Sequence, residues 1–173
     1  MTIFNWLFSI RHRPPPTLKA IYIATAAGET MQSVTSLLAI ADCGLQGDRY
    51  SEAKGFWKAT DACQVTLISE ADLNKAKKGQ PYELQHKLDL GCHRRNLVIA
   101  GINSKDLQGQ TFRIGEAVFR YHKPRPPCAY LEKLEGKGIS RALGKHSGMC
   151  LAVVRAGAMS VGDTLEFIDG EGT

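Results

Sequence analysis

Apolar, β-favouring residues fall in short blocks along this chain, and glycine- or proline-rich breaks separate them. Residues 18–25 carry such a block and read as a strand. Val34, Leu37, Leu38 and Ala41 match helical spacing, yet residues 37–41 would serve equally as a buried strand, and periodicity leaves both open. Gly44 and Gly47 then mark a turn in the run GLQGDRY. Residues 64–68 read as a strand, after which Ser69 and Asp72 form a capping pair for a helix to about Lys78, stopped by Gly79. A short strand is expected over 96–100. Residues 111–114 and 117–122 flank Gly115 and Glu116 as a hairpin. The following KPRPPC is too proline-rich for a ladder, and a short helix over 129–135 is broken by Gly136 and Gly138. Residues 149–155 and 164–168 are the last strands, joined through Gly157 and VGD. Strand and helix do not alternate, which argues against a doubly wound sheet. The pattern predicts a mainly β fold with a few short helices, an antiparallel or mixed β-barrel.

A length of 173 residues suits one domain. Pro14, Pro15 and Pro16 divide it into a tail, 1–16, and a domain, 17–170. The tail's apolar stretch is too short to span a bilayer and lacks the marks of a signal peptide. A loose tail is the expectation, with weak peripheral membrane contact through Trp6, Leu7 and Phe8 as the alternative. The net charge of +5 is compatible with nucleic acid, anionic lipid or a phosphate-bearing ligand. Aromatics are only 8% and scattered, which argues against nucleic acid. Five cysteines, without CxxC or zinc-finger spacing, predict neither a disulfide framework nor a structural zinc site, and point to a reducing, cytoplasmic setting.

Three stretches offer chemistry. Cys128 follows two prolines and precedes the expected helix, with Lys123 and Arg125 nearby, surroundings that suit a reactive thiol and a soft metal ligand. A small buried hydrophobe beside a turn is the alternative. Arg94 and Arg95 enter a strand and should point to opposite sides, so one of them can grip an anion in a cleft. Cys92 and His93 are sequence neighbours and chelate poorly together. Asp48 and Arg49 follow a glycine turn, either as a ligand contact or as a plain turn with an internal ion pair. Lys75, Lys77 and Lys78 read as a solvated helix face.

In order, GLQGDRY (44–50), VTLISEADL (65–73), RRNLVIAGIN (94–103), FRIGEAVFR (112–120), RPPCAYLE (125–132) and AVVRAGAMSVGD (152–163) resemble the MOSC family, named for the C-terminal domain of molybdenum cofactor sulfurases. The resemblance spans roughly residues 17–168 and implies a stand-alone MOSC domain with a β-barrel-like fold. It implies molybdenum cofactor (Mo-molybdopterin) as ligand, with Cys128 as catalytic residue and metal ligand. Asp48, Arg49, Arg94, Arg95, Asn96 and Arg125 are the cofactor-binding candidates. Relatives reduce N-hydroxylated compounds, so a small molybdenum-dependent oxidoreductase is expected. The other reading is a non-enzymatic carrier holding a persulfide on Cys128. Implied partners are a small-molecule substrate and an electron-donor or sulfur-donor protein. The aminotransferase-like domain of full sulfurases is not found in these residues, so no pyridoxal chemistry is expected of them. Arg49 and Tyr50 stand where base-reducing relatives are expected to carry a His-Gly-Gly run. His122 and His146 are candidates for proton delivery.

Overall fold

The computed structural model describes residues 14–55 and 63–168. The expectations for the tail lie largely outside them. The chain opens with β1 (Thr17–Ile23), β2 (Gln32–Val34), β3 (Ser36–Ile40) and β4 (Gly44–Leu45). The segment left open by its periodicity is therefore strand. Leu37 is packed on the core and Ala39 buried in it, while Leu38 is exposed, the alternation of a half-buried sheet. Next come β5 (Val65–Ser69), buried at every residue, and α1 (Glu70–Lys77). Ser69 Oγ accepts from the Asp72 amide at 3.1 Å, the cap that the sequence called for. A second helix, α2 (Tyr82–Asp89), has no counterpart in the sequence reading. Then β6 (Leu97–Ala100) lies parallel to β5, because α1 and α2 carry the chain back along the sheet.

The hairpin is present as β7 (Thr111–Ile114) and β8 (Ala117–Pro124). Strand β8 runs further than expected. Lys123 and Pro124 still register with Cys150 and Met149 after an irregularity at Tyr121/Lys123, so the first proline of the proline-rich run sits inside the ladder. Helices α3 (Ala129–Glu135) and α4 (Ile139–Leu143) follow, then β9 (Met149–Arg155), β10 (Gly157–Ser160) and β11 (Leu165–Phe167). Residues 157–160 were read as a connection. They are a strand that leaves the main sheet to pair with β3.

The large sheet has the order β11-β7-β8-β9-β5-β6-β1-β2, and β10-β3-β4 forms a smaller one. The sequence reading expected a β-barrel. Thr17 bridges Thr164 just ahead of β11, but no ladder among the described residues closes the large sheet. Between the sheets lies one apolar core containing Ile21, Leu67, Ile99, Phe112, Phe119 and Leu151. A second cluster, with Ile68, Leu88, Val98, Leu131 and Ile139, seats the helices on the outer face. No helix among the described residues is long and apolar enough to cross a membrane.

Candidate functional site

Three loops meet at one end of the sheet: the turn after β4, the approach to β6, and the proline-rich link from β8 to α3. They enclose a narrow cleft, about 400 Å³ of empty space including its open mouth. Arg49, Arg94, Arg95 and Arg125 line it together with Cys128, Tyr50, Tyr130, Leu131 and Ala27. Both members of the Arg94–Arg95 pair line the same cleft, which strand alternation would forbid. They escape alternation because β6 begins only at Leu97 and Arg94 has φ 59°, a left-handed backbone that non-glycine residues rarely adopt. At the third loop, the Arg125 amide donates to Gly148 O at 2.9 Å. Only glycine fits at 148. A Cβ there would lie 2.2 Å from Leu67 O, and φ is +86°.

The four guanidinium groups are unequally paired. Arg49 donates to Asp48 Oδ1 at 3.1 Å and its Cζ lies 4.5 Å from the centre of the Tyr50 ring. Arg94 Nη1 donates to Glu29 O at 2.7 Å and to Glu135 Oε1 at 3.1 Å, while its buried Nη2 has no partner among the described residues. Arg95 is held by neutral atoms alone, donating to Ser147 O and Ser147 Oγ, each at 2.6 Å. Arg125 reaches the Tyr50 hydroxyl at 3.4 Å and Cys63 Sγ at 3.9 Å. Among the described residues, two carboxylates, Asp48 and Glu135, thus pair with only two of the four cations, Arg49 and Arg94. Burial and then the Arg125 charge push the Arg95 guanidinium down to about 9, opposed by Tyr50 and Cys128. A buried cation under such stress favours a bound anion.

Cys128 is the N-cap residue of α3, half-buried, and its side chain makes no capping bond. It borders the arginine cleft on one side and an open depression between α3 and α4 on the other. Of the other free thiols, Cys92 is pushed up to about 11 by burial and by Glu135. Cys63 and Cys150 are joined as a disulfide, which corrects the expectation of five unpaired cysteines. Their half-cystines come from the approach to β5 and from β9, 87 residues apart, a pairing that spacing alone does not reveal.

The MOSC domain family model matches residues 57–166, more than half of the chain. The chain belongs to the MOSC domain family. Among solved structures, the YuaD protein of Bacillus subtilis superposes with a TM-score of 0.69 at 17% identity, covering 87% of this chain and 93% of that one. YiiM from Escherichia coli gives 0.65 at 20%, covering 90% and 69%, and YiiM from Geobacillus stearothermophilus gives 0.63 at 14%, covering 90% and 76%. These likenesses show the fold. No curated protein matches by sequence.

Within this MOSC domain the candidate residues separate into two groups. Arg49, Arg94, Arg95, Arg125 and Cys128 line the cleft. Asp48 and Asn96, fully buried, lie outside its lining and are bonded internally. Asp48 accepts from the amides of Ala24 and Tyr50, from Arg49 and from Asn96 Nδ2. Asn96 Oδ1 accepts from the Thr66 amide and hydroxyl, and its Nδ2 also donates to Tyr22 O. These two residues tie the loops together beneath the arginines. Neither His122 nor His146 lines the cleft. His122 is exposed on β8, and His146 Nδ1 lies 3.3 Å from Asp72 Oδ1 in a separate pocket.

Residues that the sequence did not flag complete the setting. Ser147 holds Arg95 from 52 positions away, and Glu135 holds Arg94 from 41 away, so no local signal marks either. His93 is buried and pushed down to about 3, first by burial and then by Arg95, and is therefore neutral. Its Nδ1 accepts from the Arg95 amide at 2.9 Å, which places the proton on Nε2, a buried atom without a hydrogen-bond partner among the described residues. This histidine shapes the backbone on which Arg95 rides. It is not a metal ligand in any cluster, and no group of three or more His, Cys, Asp or Glu among the described residues is placed to hold a metal ion.

Proposed function

We propose that the cleft holds the molybdenum cofactor and that the protein is a small oxidoreductase acting on N-hydroxylated compounds. One observation carries this reading: among the described residues, four arginines, answered by only two carboxylates, surround a half-buried thiol, and Arg94 Nη2 is left with no acceptor. A phosphate-bearing anion supplies acceptors for such donors, and guanidinium groups bind phosphate through paired hydrogen bonds. Cysteine sulfur is a soft donor suited to molybdenum. The described residues form no cage of three ligands, so a metal at Cys128 would arrive with its own donors, as a pterin dithiolene provides. Arg94, Arg95, Arg125 and Arg49 would hold the phosphate end and Cys128 the metal end. When bound, the cofactor supplies two-electron redox chemistry at the metal.

The chain's own residues position and shield. Ser147 and the neutral His93 fix Arg95. Glu135 and Glu29 O aim Arg94. Tyr50 stacks beside Arg49 and bonds Arg125. Reduction of an N–OH group to N–H with loss of water takes two electrons and two protons. No histidine among the described lining residues is at hand for those protons, so solvent entering beside Cys128 is their source.

Protein made in a host that synthesises the cofactor should carry molybdenum by metal analysis, and Cys128→Ser should lose it while keeping its fold. With an electron-donor protein added, the loaded protein should reduce an amidoxime that carries a carboxylate to the corresponding amidine. Loading without loss in Cys128→Ser would sink the reading. A second reading, a persulfide carrier, is favoured by the openness of Cys128 on two sides. It predicts an adduct of about 32 Da on Cys128 and no metal.

A further inference from the structure

Cys128 separates two unlike surfaces. The arginine cleft lies on one side. On the other, an open depression of about 940 Å³ is floored by Pro127, Cys128 and Ala129 and rimmed by Lys133, Lys137 and Arg141. All three cations are exposed, and none forms an ion pair among the described residues. The one carboxylate among the described residues of the rim, Glu132, is already engaged. Its oxygens accept from the amides of Gly138 at 2.6 Å and Ser140 at 3.0 Å, and these bonds hold it below the usual carboxylate range. It closes the α3–α4 turn as an anion, and the rim keeps an excess of positive charge beside an apolar floor. A thiol at the floor of such a basin is reached first by anions with an apolar body, because the field concentrates them there.

We propose that this depression is the approach for the second reactant of the site, an anionic small molecule with an apolar body, selected by Lys133, Lys137 and Arg141. The assignment of sides rests on the arginine cleft being the cofactor's. The charge selection itself is measurable without any cofactor. The probe reaction is thiol–disulfide exchange: the Cys128 thiolate attacks an aromatic disulfide, a bond forms between Cys128 Sγ and one reagent sulfur, the reagent S–S bond breaks, and the second aryl thiolate leaves with the electron pair. The dianionic reagent is dithiobis(nitrobenzoate) and the neutral one dithiodipyridine. A Cys43→Ala/Cys92→Ala parent confines the readout to Cys128, since Cys63 and Cys150 are bonded to one another.

At low ionic strength the parent should favour the dianionic reagent, and Lys133→Ala/Lys137→Ala/Arg141→Ala should lower the ratio of dianionic to neutral rates about five- to tenfold. Removing Lys78, Lys105 and Lys145, which lie outside the depression, changes net charge equally and should leave the ratio within about twofold. Inorganic phosphate binding, measured by calorimetry, reports on the arginine cleft separately and should be the same in the triple variant and the parent. An unchanged ratio in the triple variant overturns the proposal. So does a fall accompanied by loss of phosphate binding, because the steering would then belong to the arginines. If Arg94→Gln and Arg125→Gln leave phosphate binding untouched, the reading of the cleft fails while the rate ratio still tests the depression.

Discussion

Arg95 and Asn96 are neighbours in sequence and both are buried, yet they belong to opposite kinds of polar site. Around Asn96 every polar group is answered: its amide oxygen and nitrogen bond to Thr66, Tyr22 and Asp48, and Asp48 in turn bonds to Ala24, Arg49 and Tyr50. Around Arg95, among the described residues, the cations outnumber the bonded carboxylates, its own partners are neutral, and Arg94 Nη2 has none. A satisfied network in a low-dielectric interior holds a fold together. An unsatisfied cationic one costs stability until an anion arrives. A ligand is therefore expected at the cluster whose hydrogen bonds and charges are left unbalanced, not simply at the most polar cluster.

The comparison breaks most directly at Asn96. Asn96→Ala should strip Asp48 and the Thr66 amide and hydroxyl of a buried partner and cost on the order of 3 kcal/mol or more. Urea denaturation checks this, and a loss below about 1 kcal/mol would show that the network is not structural.

His93 sharpens it next through pH. Its folded value lies near 3 against an ordinary 6.5, so between those values the unfolded chain binds the proton and the folded one does not. Its contribution to stability is therefore whole above about pH 6.5 and falls as pH drops toward 3. At pH 4.5 about 2–3 kcal/mol should be gone relative to pH 7.5. The lowered values of Asp72, Glu132 and Glu166 act in the same direction but at lower pH. His93→Gln should flatten the upper part of the curve. A slope between pH 6.5 and 5 that survives this substitution would remove His93 as its cause.

The smallest stability effect is expected at Arg125. Arg125→Gln removes a cation from an overcharged cluster and leaves no carboxylate unpaired, so the ligand-free melting point should move by only a few degrees, in either direction. Its effect belongs to binding, with phosphate affinity and molybdenum content falling. A large drop in ligand-free stability would mean that Arg125 is part of the scaffold.

Much of the fold was legible in the sequence, and for local reasons. Ser69 with Asp72, Gly115 in its hairpin and the alternation of residues 111–114 act over a few positions, so α1, β7 and β8 were readable. Helix α2 escaped because its N-cap, Pro81, offers no capping side chain and only Leu88 of its residues is buried. Strand β10 escaped because four residues that begin at a glycine gain strand character from β3, far away in sequence.

The sequence by itself determined the family, the β-rich class and the identity of the chemical groups, including Cys128 and the arginines, because motif order and short-range pattern are properties of the chain. Tertiary structure alone decided which of those groups face one cleft. Arg94 joins Arg95 there through a left-handed backbone, Arg49 and Arg125 arrive on separate loops, and Asp48 and Asn96 turn inward as scaffold. It also decided that Cys63 meets Cys150. The physical reason is the same in each case: burial, charge balance and bonding partners are set by contacts between residues tens of positions apart, and no local pattern encodes them.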